Sequence, residues 1–131
     1  MVSYPAALDL PHALVEWVTM LSHAGKFFAL KEDSPPVEMD PFTLETIGEY
    51  TFGGDFTSEA FTAHPKIDPR TGELVFYGYC AKGPATKDIA YYEADRTGKI
   101  IHETWFEAPY TCMLSFRAAE LPAVRKMMSA A

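Results

Sequence analysis

Four histidines are the residues of this sequence best suited to hold a metal ion or move a proton: His12, His23, His64 and His102. No two of them stand at the spacing of three or four residues that places both rings on one helix face, and no CxxC or HExxH motif accompanies them. We therefore expect His12 and His23 to be surface or turn residues, and His102 to be a half-exposed residue of a strand. The spacing predicts no local metal-binding motif.

His64 differs from the other three because it lies in an apolar run, residues 61–67, and is followed by Pro65. Proline removes a backbone donor and favours an extended conformation for the residue before it. We interpret this run as a strand that carries an imidazole. By itself this pattern leaves two alternatives open, a hydrogen-bonded core histidine and a metal ligand.

The other charged cluster, Lys31-Glu32-Asp33, follows a short apolar run and by itself is typical of the solvated end of a strand. Ser115 lacks the glycines of a nucleophile elbow, and Gly53-Gly54 is not a phosphate-binding loop. No pair of carboxylates has the pattern of an acid and a base. Spacing alone thus assigns no reaction.

The elements that must position these residues are mainly strands. Short β-rich runs alternate with turn sequences and predict an antiparallel meander, with strands in residues 27–30, 44–52, 60–67, 74–80, 89–94 and 100–108. Similar turns begin at Asp40, Asp68 and Asp95, 28 and 27 residues apart. This recurrence fits the blades of a β-propeller, and a small barrel of five or six strands fits it as well. Residues 74–77 lack polar alternation, so we expect that strand to be buried on both faces.

Both ends of the chain differ in character from the middle. Residues 1–22 are compatible with a short helix, and residues 114–131 are rich in Ala and Met and mildly helical, although Pro122 is expected to interrupt them. We therefore divide the chain into an atypical N-terminal segment, residues 1–22, a β domain, residues 23–113, and an atypical C-terminal segment, residues 114–131.

Composition excludes several classes of partner. The 131 residues carry a net charge of −7, without the clustered Lys and Arg that nucleic acids or anionic membranes require. No run of about 20 apolar residues predicts a membrane span. Cys80 and Cys112 show no metal-binding spacing and are expected to be reduced thiols. We accordingly expect a cytoplasmic protein, and the aromatic content of 14% calls for a packed core or a ligand cavity.

Several ordered motifs between residues 23 and 113 resemble those of the carotenoid cleavage oxygenases, and most closely the lignostilbene dioxygenase branch. They are Ala29-Leu-Lys-Glu-Asp-Ser-Pro-Pro36, Met39-Asp-Pro41, Thr43-Leu-Glu-Thr-Ile-Gly48, Phe61-Thr-Ala-His-Pro-Lys66, Asp68-Pro-Arg-Thr-Gly-Glu-Leu74 and Ala108-Pro-Tyr-Thr-Cys-Met113. The resemblance implies an all-β fold of which this chain forms one to two blades of a seven-bladed propeller, with short helical ends.

The resemblance also implies a reaction. Such enzymes use a non-haem iron(II), held by four histidines from different blades, and dioxygen to split a carbon–carbon double bond into two carbonyl products. The substrates are small aromatic alkenes or apocarotenoids. His64 matches the first iron ligand, Glu32 the outer carboxylate that orients a liganding histidine, and Lys31 the lysine that binds the phenolic hydroxyl of the substrate.

The sequence departs from the family after the motif that ends at Met113. Where the family carries a second liganding histidine, this chain has Cys112-Met-Leu-Ser-Phe116. Since three of the four ligands lack a counterpart, we expect a fragment that does not hold Fe(II) or turn over by itself and needs missing blades or an associating chain. The alternative is a non-enzymatic β-rich remnant or module that binds an aromatic ligand or a partner protein.

Overall fold

The computed structural model describes residues 19–110 and 117–130, which form two antiparallel sheets and a C-terminal helix. The first sheet contains β1 (Thr19–His23), β2 (Lys26–Leu30), β3 (Val37–Met39) and β4 (Thr46–Glu49). The second contains β5 (Lys66–Ile67), β6 (Leu74–Tyr79), β7 (Asp88–Ala94) and β8 (Ile100–Glu107). In both sheets the strands pair in chain order, which confirms the antiparallel meander. Two 3-10 turns, Phe52–Gly54 and Ala118–Glu120, and helix α1 (Leu121–Ser129) complete the described elements.

An aspartate organises each of the three recurring turns, as the sequence predicts. The Oδ1 atom of Asp40 accepts the backbone N–H of Phe42 and Thr43, and Oδ1 of Asp95 accepts those of Thr97 and Lys99. The turn at Asp68 has the same arrangement. However, Asp68 and Asp95 both lie in the second sheet, in the β5–β6 and β7–β8 turns. The turns therefore recur every 27 to 28 residues, but each turn does not belong to a separate sheet.

The main core lies between the two sheets and consists largely of aromatic rings. Phe76 on β6 stacks on Phe61, with ring centroids 4.6 Å apart, and on Phe52, at 4.9 Å. Phe28 and Leu30 of β2 contribute from the first sheet. Phe52 and Phe61 belong to the connection between the sheets. The aromatic residues in which the sequence is rich thus pack the two sheets against each other.

The second sheet is covered on its other face by α1. Val75 and Tyr91 of the sheet form a second apolar cluster with Leu121 and Met128 of the helix. As expected, β6 is buried on both faces from Leu74 to Tyr77. The C-terminal segment contains the helix α1, as its composition suggests, and Pro122 does not interrupt it. Pro122 lies in the first turn of α1, where a backbone N–H has no partner within the helix.

Two expectations about the strands are wrong. Residues 19–22, assigned above to a helical N-terminal segment, belong to β1, which pairs with β2 from Thr19 to His23. The helical expectation for residues 1–18 lies outside the described residues. In residues 60–67 only Lys66–Ile67 forms a strand. The short strand β3 was not anticipated from the sequence, since Pro35 and Pro36 directly precede it.

The departure from the family pattern at residues 112–116 also lies outside the described residues, and so does Cys112. Cys80 is a free thiol. Within residues 19–110 and 117–130, no helix is both long and apolar enough to cross a membrane.

Candidate active site

Glu32 lies just after β2, which ends at the fully buried Leu30. Its side chain is 17% exposed, and both carboxylate oxygens are buried without a hydrogen-bond partner in the described part of the chain. A buried carboxylate without such partners is costly. A carboxylate kept in this environment is therefore a strong candidate for a functional group.

His64 is held by a turn, which corrects the prediction that it lies in a strand. The Thr62 backbone N–H donates to the Tyr77 carbonyl oxygen of β6 at 2.7 Å, and Thr62 Oγ1 accepts the His64 backbone N–H at 3.0 Å. Because the threonine side chain takes this donor and Pro65 has none, the segment cannot continue as a ladder. The His64 side chain is 52% exposed, so it is not a buried core histidine.

Gly78 is a residue that the sequence analysis missed and that brings the His64 segment close to β6. A Cβ atom at this position would lie 2.0 Å from the Ala60 carbonyl oxygen and 2.5 Å from Ser58 Oγ. Only glycine permits that approach of the backbone. A glycine inside an apolar strand was the available signal, since such a glycine often marks a close approach of another backbone.

Two of the three site residues predicted from the sequence, Glu32 and His64, meet across the boundary between the sheets. Nε2 of His64 lies 3.4 Å from Oε1 of Glu32, although the contact lacks the geometry of a hydrogen bond. A carboxylate at this place can accept a proton from the imidazole or stabilise its charged form. Glu32 can therefore orient the imidazole ring of His64, which is open to solvent.

Lys31 is bound differently. Its side chain is 16% exposed, and its Nζ atom pairs with Oδ1 of the exposed Asp33 at 2.8 Å. Among the described ion pairs it has none with Glu32, its neighbour in sequence. The structure thus brings Glu32 and His64 together and leaves Lys31 paired within its own loop.

A cavity of about 310 Å³ adjoins Glu32 on the side of β6. Its wall includes Tyr79, Cys80, Ala60 and Pro84. Burial, followed by the negative charges of Glu32 and Asp33, raises the pKa of the Tyr79 hydroxyl. Tyr79 is therefore a neutral hydrogen-bonding group beside the cavity, and the sequence analysis did not single it out.

The remaining histidines lie elsewhere. His23 is buried, contrary to the expected surface or turn position, and its Nε2 atom lies 3.0 Å from the Gly72 carbonyl oxygen. His102 is half-buried on β8 beside Thr104 Oγ1, as expected for a strand residue. His12 lies outside the described residues. In the part of the chain that the structure describes, no three His, Cys, Asp or Glu side chains form a group that could hold a metal ion.

Comparison with known proteins gives consistent matches. A sequence profile described as retinal pigment epithelial membrane protein matches residues 8–118. Isoeugenol monooxygenase of Pseudomonas nitroreducens is 56% identical over 92 residues, which are 70% of this chain and 19% of that protein. Lignostilbene-alpha,beta-dioxygenase isozyme III of Sphingomonas paucimobilis is 48% identical over 95 residues, 72% of this chain and 19% of that protein.

The fold is similar to a solved structure as well. The crystal structure of Pseudomonas brassicacearum lignostilbene dioxygenase superimposes with a TM-score of 0.70 and 52% sequence identity. The match covers 72% of this chain and 20% of that protein. This chain therefore spans about a fifth of the length of the relatives that it matches.

Proposed function

Because this chain belongs to the family of the retinal pigment epithelial membrane protein, the carotenoid oxygenase family that its motifs resemble, we propose that it forms part of an alkene-cleaving oxygenase. The reaction is the oxidative cleavage, with dioxygen, of a double bond conjugated to a phenolic ring, to give two carbonyl products. Relatives named for isoeugenol and lignostilbene, both phenolic alkenes, support this substrate class. The proposal concerns the whole protein, which we expect to be located in the cytoplasm. In that protein, the two sheets are neighbouring blades of a propeller.

We propose that His64 is one of the ligands of a non-haem iron(II). Two observations fit this role: the imidazole is half exposed, and 3.4 Å from it lies a buried carboxylate that has no hydrogen bond to the described residues. Neutral imidazole is a suitable ligand for Fe(II). When bound, the iron supplies the activation of dioxygen. The other ligands must come from elsewhere in the protein, so we expect no turnover from the isolated chain.

The contact between Glu32 and His64 is the observation that carries the proposal. Glu32 acts as a positioning residue, because a carboxylate that accepts a ring proton fixes the tautomer and orientation of a liganding imidazole. Its burial excludes water that would compete for the same proton. This role requires that Glu32 be ionised beside the imidazole.

Lys31 is proposed to bind the phenolic hydroxyl of the substrate. Its ammonium is paired with Asp33, whose side chain is largely exposed, so a substrate phenolate can replace that carboxylate at modest cost. An ammonium next to the phenol favours the ionised phenolate and thereby raises the electron density of the conjugated alkene.

Cobalt binding tests the role of His64 without depending on turnover. Co²⁺ titrated into the ¹⁵N-labelled chain should broaden the resonances around His64 first, because this imidazole is exposed next to a carboxylate. His64→Ala should abolish that broadening, and Glu32→Gln should weaken it. The matched control is His102→Ala, a histidine on β8, which should leave it unchanged. Equal broadening at both histidines would contradict the proposal.

Activity provides the complementary test. The purified chain, loaded with Fe(II) under air, should give no aldehyde from isoeugenol or a hydroxystilbene by liquid chromatography. Product formation would disprove the need for further ligands.

The cavity beside Tyr79 supports a second candidate, a module that binds an aromatic ligand without catalysis. A small phenol would then perturb the Tyr79 and Ala60 resonances equally with and without EDTA. Loss of the perturbation on chelation would argue for the metal-dependent site instead.

A further inference from the structure

The cavity beside Glu32 has a wall with only one sign of charge. Its volume of about 310 Å³ is at the lower end of the range of small-molecule pockets. Three acidic residues line it, Glu32, Asp33 and Glu59, and among the described residues of its wall none is Lys, Arg or His. A ligand in this cavity therefore meets negative charge without a positive charge on the wall.

Glu59 forms the side of the cavity that faces the loop between β6 and β7. Its backbone N–H donates to the Ala81 carbonyl oxygen at 2.9 Å, which ties residue 59 to that loop. Its carboxylate lies over the same loop, because a Cβ atom at Gly83 would be 3.5 Å from Oε2 of Glu59. The residue is exposed, and among the described ion pairs it has none. The position of Glu59 is thus fixed by its backbone, and its charge is not neutralised by a partner.

The other two carboxylates are compensated to different degrees. Asp33 pairs with Nζ of Lys31 at 2.8 Å, whereas both oxygens of Glu32 lack a hydrogen-bond partner in the described chain and face His64 at 3.4 Å. In the proposed function, the Lys31 ammonium receives the phenolic oxygen of the substrate. A second negative charge on the same ligand would meet Glu32 and Glu59 without a further cation to balance it.

The Tyr79 hydroxyl shows how this surrounding acts on an anion. Burial, followed by the negative charges of Glu32 and Asp33, raises the pKa of this hydroxyl and so disfavours its ionised form. A ligand carboxylate in the same cavity would meet the same two effects. Repulsion between like charges is also stronger in a partly enclosed space than in water, so a charged ligand can be rejected without a steric clash.

We propose that this cavity accepts phenolic ligands with an uncharged side chain and excludes phenolic carboxylates, and that Glu59 is a residue that determines this selectivity. The inference rests on the phenolic substrate class of the proposed function and narrows it to phenols that carry no acid group.

Two ligands of nearly the same shape test the selectivity, because 4-hydroxyphenylacetamide is neutral and 4-hydroxyphenylacetate is an anion. When each is titrated into the ¹⁵N-labelled chain at about pH 7 and about 0.02 M salt, the amide should shift the Tyr79 and Ala60 resonances, and the carboxylate should bind at least about tenfold more weakly. At about 0.5 M salt the ratio of the two dissociation constants should fall below about threefold, since salt screens charge repulsion and leaves a steric clash unchanged.

Glu59→Gln removes the charge of this residue and keeps its shape. At low salt it should reduce the ratio of the two dissociation constants by at least about threefold, mainly through tighter binding of the carboxylate ligand. The matched control is Glu49→Gln, which removes an equally exposed carboxylate on β4, outside the wall of the cavity. This control should leave the ratio unchanged.

Three results would overturn the inference, and each is distinct from a failure of the proposed function. Equal affinities of the two ligands for the wild-type chain at low salt would show that the cavity does not select by charge. A ratio that neither salt nor Glu59→Gln alters would assign the selectivity to shape. If neither ligand shifts Tyr79 and Ala60, the cavity does not bind phenols, and cobalt binding at His64 then tests the proposed function independently.

Discussion

The first sheet has an exposed edge strand, whereas the two central strands of the second sheet are buried on both faces. In the first sheet β4 is largely exposed, and Ile47 beside Gly48 is 63% exposed. In the second sheet β6 is buried from Leu74 to Gly78, between the aromatic core and α1. The two sheets differ in what packs against their faces and not in their strand pairing, which is antiparallel in both.

The comparison shows how the site depends on both sheets. Glu32 follows a strand of the first sheet, and His64 precedes the first strand of the second. The second sheet holds the His64 segment through the Thr62–Tyr77 hydrogen bond. The distance between the two side chains is therefore set by the aromatic core that joins the sheets. Substitutions in the second sheet should therefore lower the free energy of unfolding far more than substitutions at corresponding places in the first sheet.

The largest expected effect is at Phe76, which is fully buried in the second sheet. Phe76→Ala removes a ring that stacks on Phe52 and Phe61, and should lower the free energy of unfolding by about 4 kcal/mol. Ile47→Ala in the first sheet should change it by less than about 0.5 kcal/mol. Urea denaturation followed by Trp fluorescence measures both. Similar losses for the two variants would remove the distinction between the sheets.

A pair of glycines gives an intermediate effect. Gly78→Ala forces a Cβ into the Ala60 backbone and should cost about 3 kcal/mol, because backbone cannot give way as a side chain can. It should also shift the His64 ring resonances. Gly48→Ala in β4 meets nothing within 4 Å and carries only the strain of its φ of +152°, which should cost about 1 kcal/mol. Denaturation together with NMR of the histidine rings checks both results, and an unshifted His64 in Gly78→Ala would be evidence against the positioning role of β6.

The smallest effect is the pH dependence of two equivalent turns. The Arg70 backbone N–H, and then the Arg125 guanidinium, hold the pKa of Asp68 below its ordinary value, against the effect of burial. The backbone N–H groups of Thr43 and Phe42 lower the pKa of Asp40 in the first sheet. Both groups stabilise the fold above about pH 4, and this stabilisation is lost as the pH falls through their lowered values.

Asparagine substitutions separate these contributions, because asparagine keeps an oxygen for the turn and removes the charge. We expect Asp68→Asn to lower the melting temperature at pH 7 more than Asp40→Asn, since only Asp68 also pairs with α1. It should also flatten the loss of stability between about pH 4 and pH 2 more strongly. Thermal melts across this range measure both effects. Equal slopes would mean that the ion pair with Arg125 contributes nothing.

Local sequence patterns predicted the strands correctly where those patterns are clear. They failed where contacts with distant segments determine the backbone conformation. Residues 74–77, 89–94 and 100–107 are strands because apolar and β-branched runs there end in strong turns. Residues 19–22 have an apolar pattern that also fits a helix, and pairing with β2 overrides it. Residues 60–64 form no strand, because Thr62 bonds to His64 and to β6 instead.

The candidate site residues remain a prediction from the resemblance. The resemblance identified Lys31, Glu32 and His64, and the structure places Glu32 beside His64. The resemblance could not indicate that Lys31 pairs with Asp33, or that Tyr79 borders a cavity next to Glu32. These facts depend on how the loop after β2 lies against β6, which no local pattern encodes.

By itself, the sequence determined the meander, the aspartate turns and the residues able to perform chemistry, because these follow from backbone propensities and side-chain types over short distances. The tertiary structure alone decided that two sheets share one aromatic core, that α1 covers the second sheet, and that Glu32 is buried beside an exposed His64. The physical reason is that burial and the loss of hydrogen-bond partners are properties of packed surfaces, which exist only when distant segments meet.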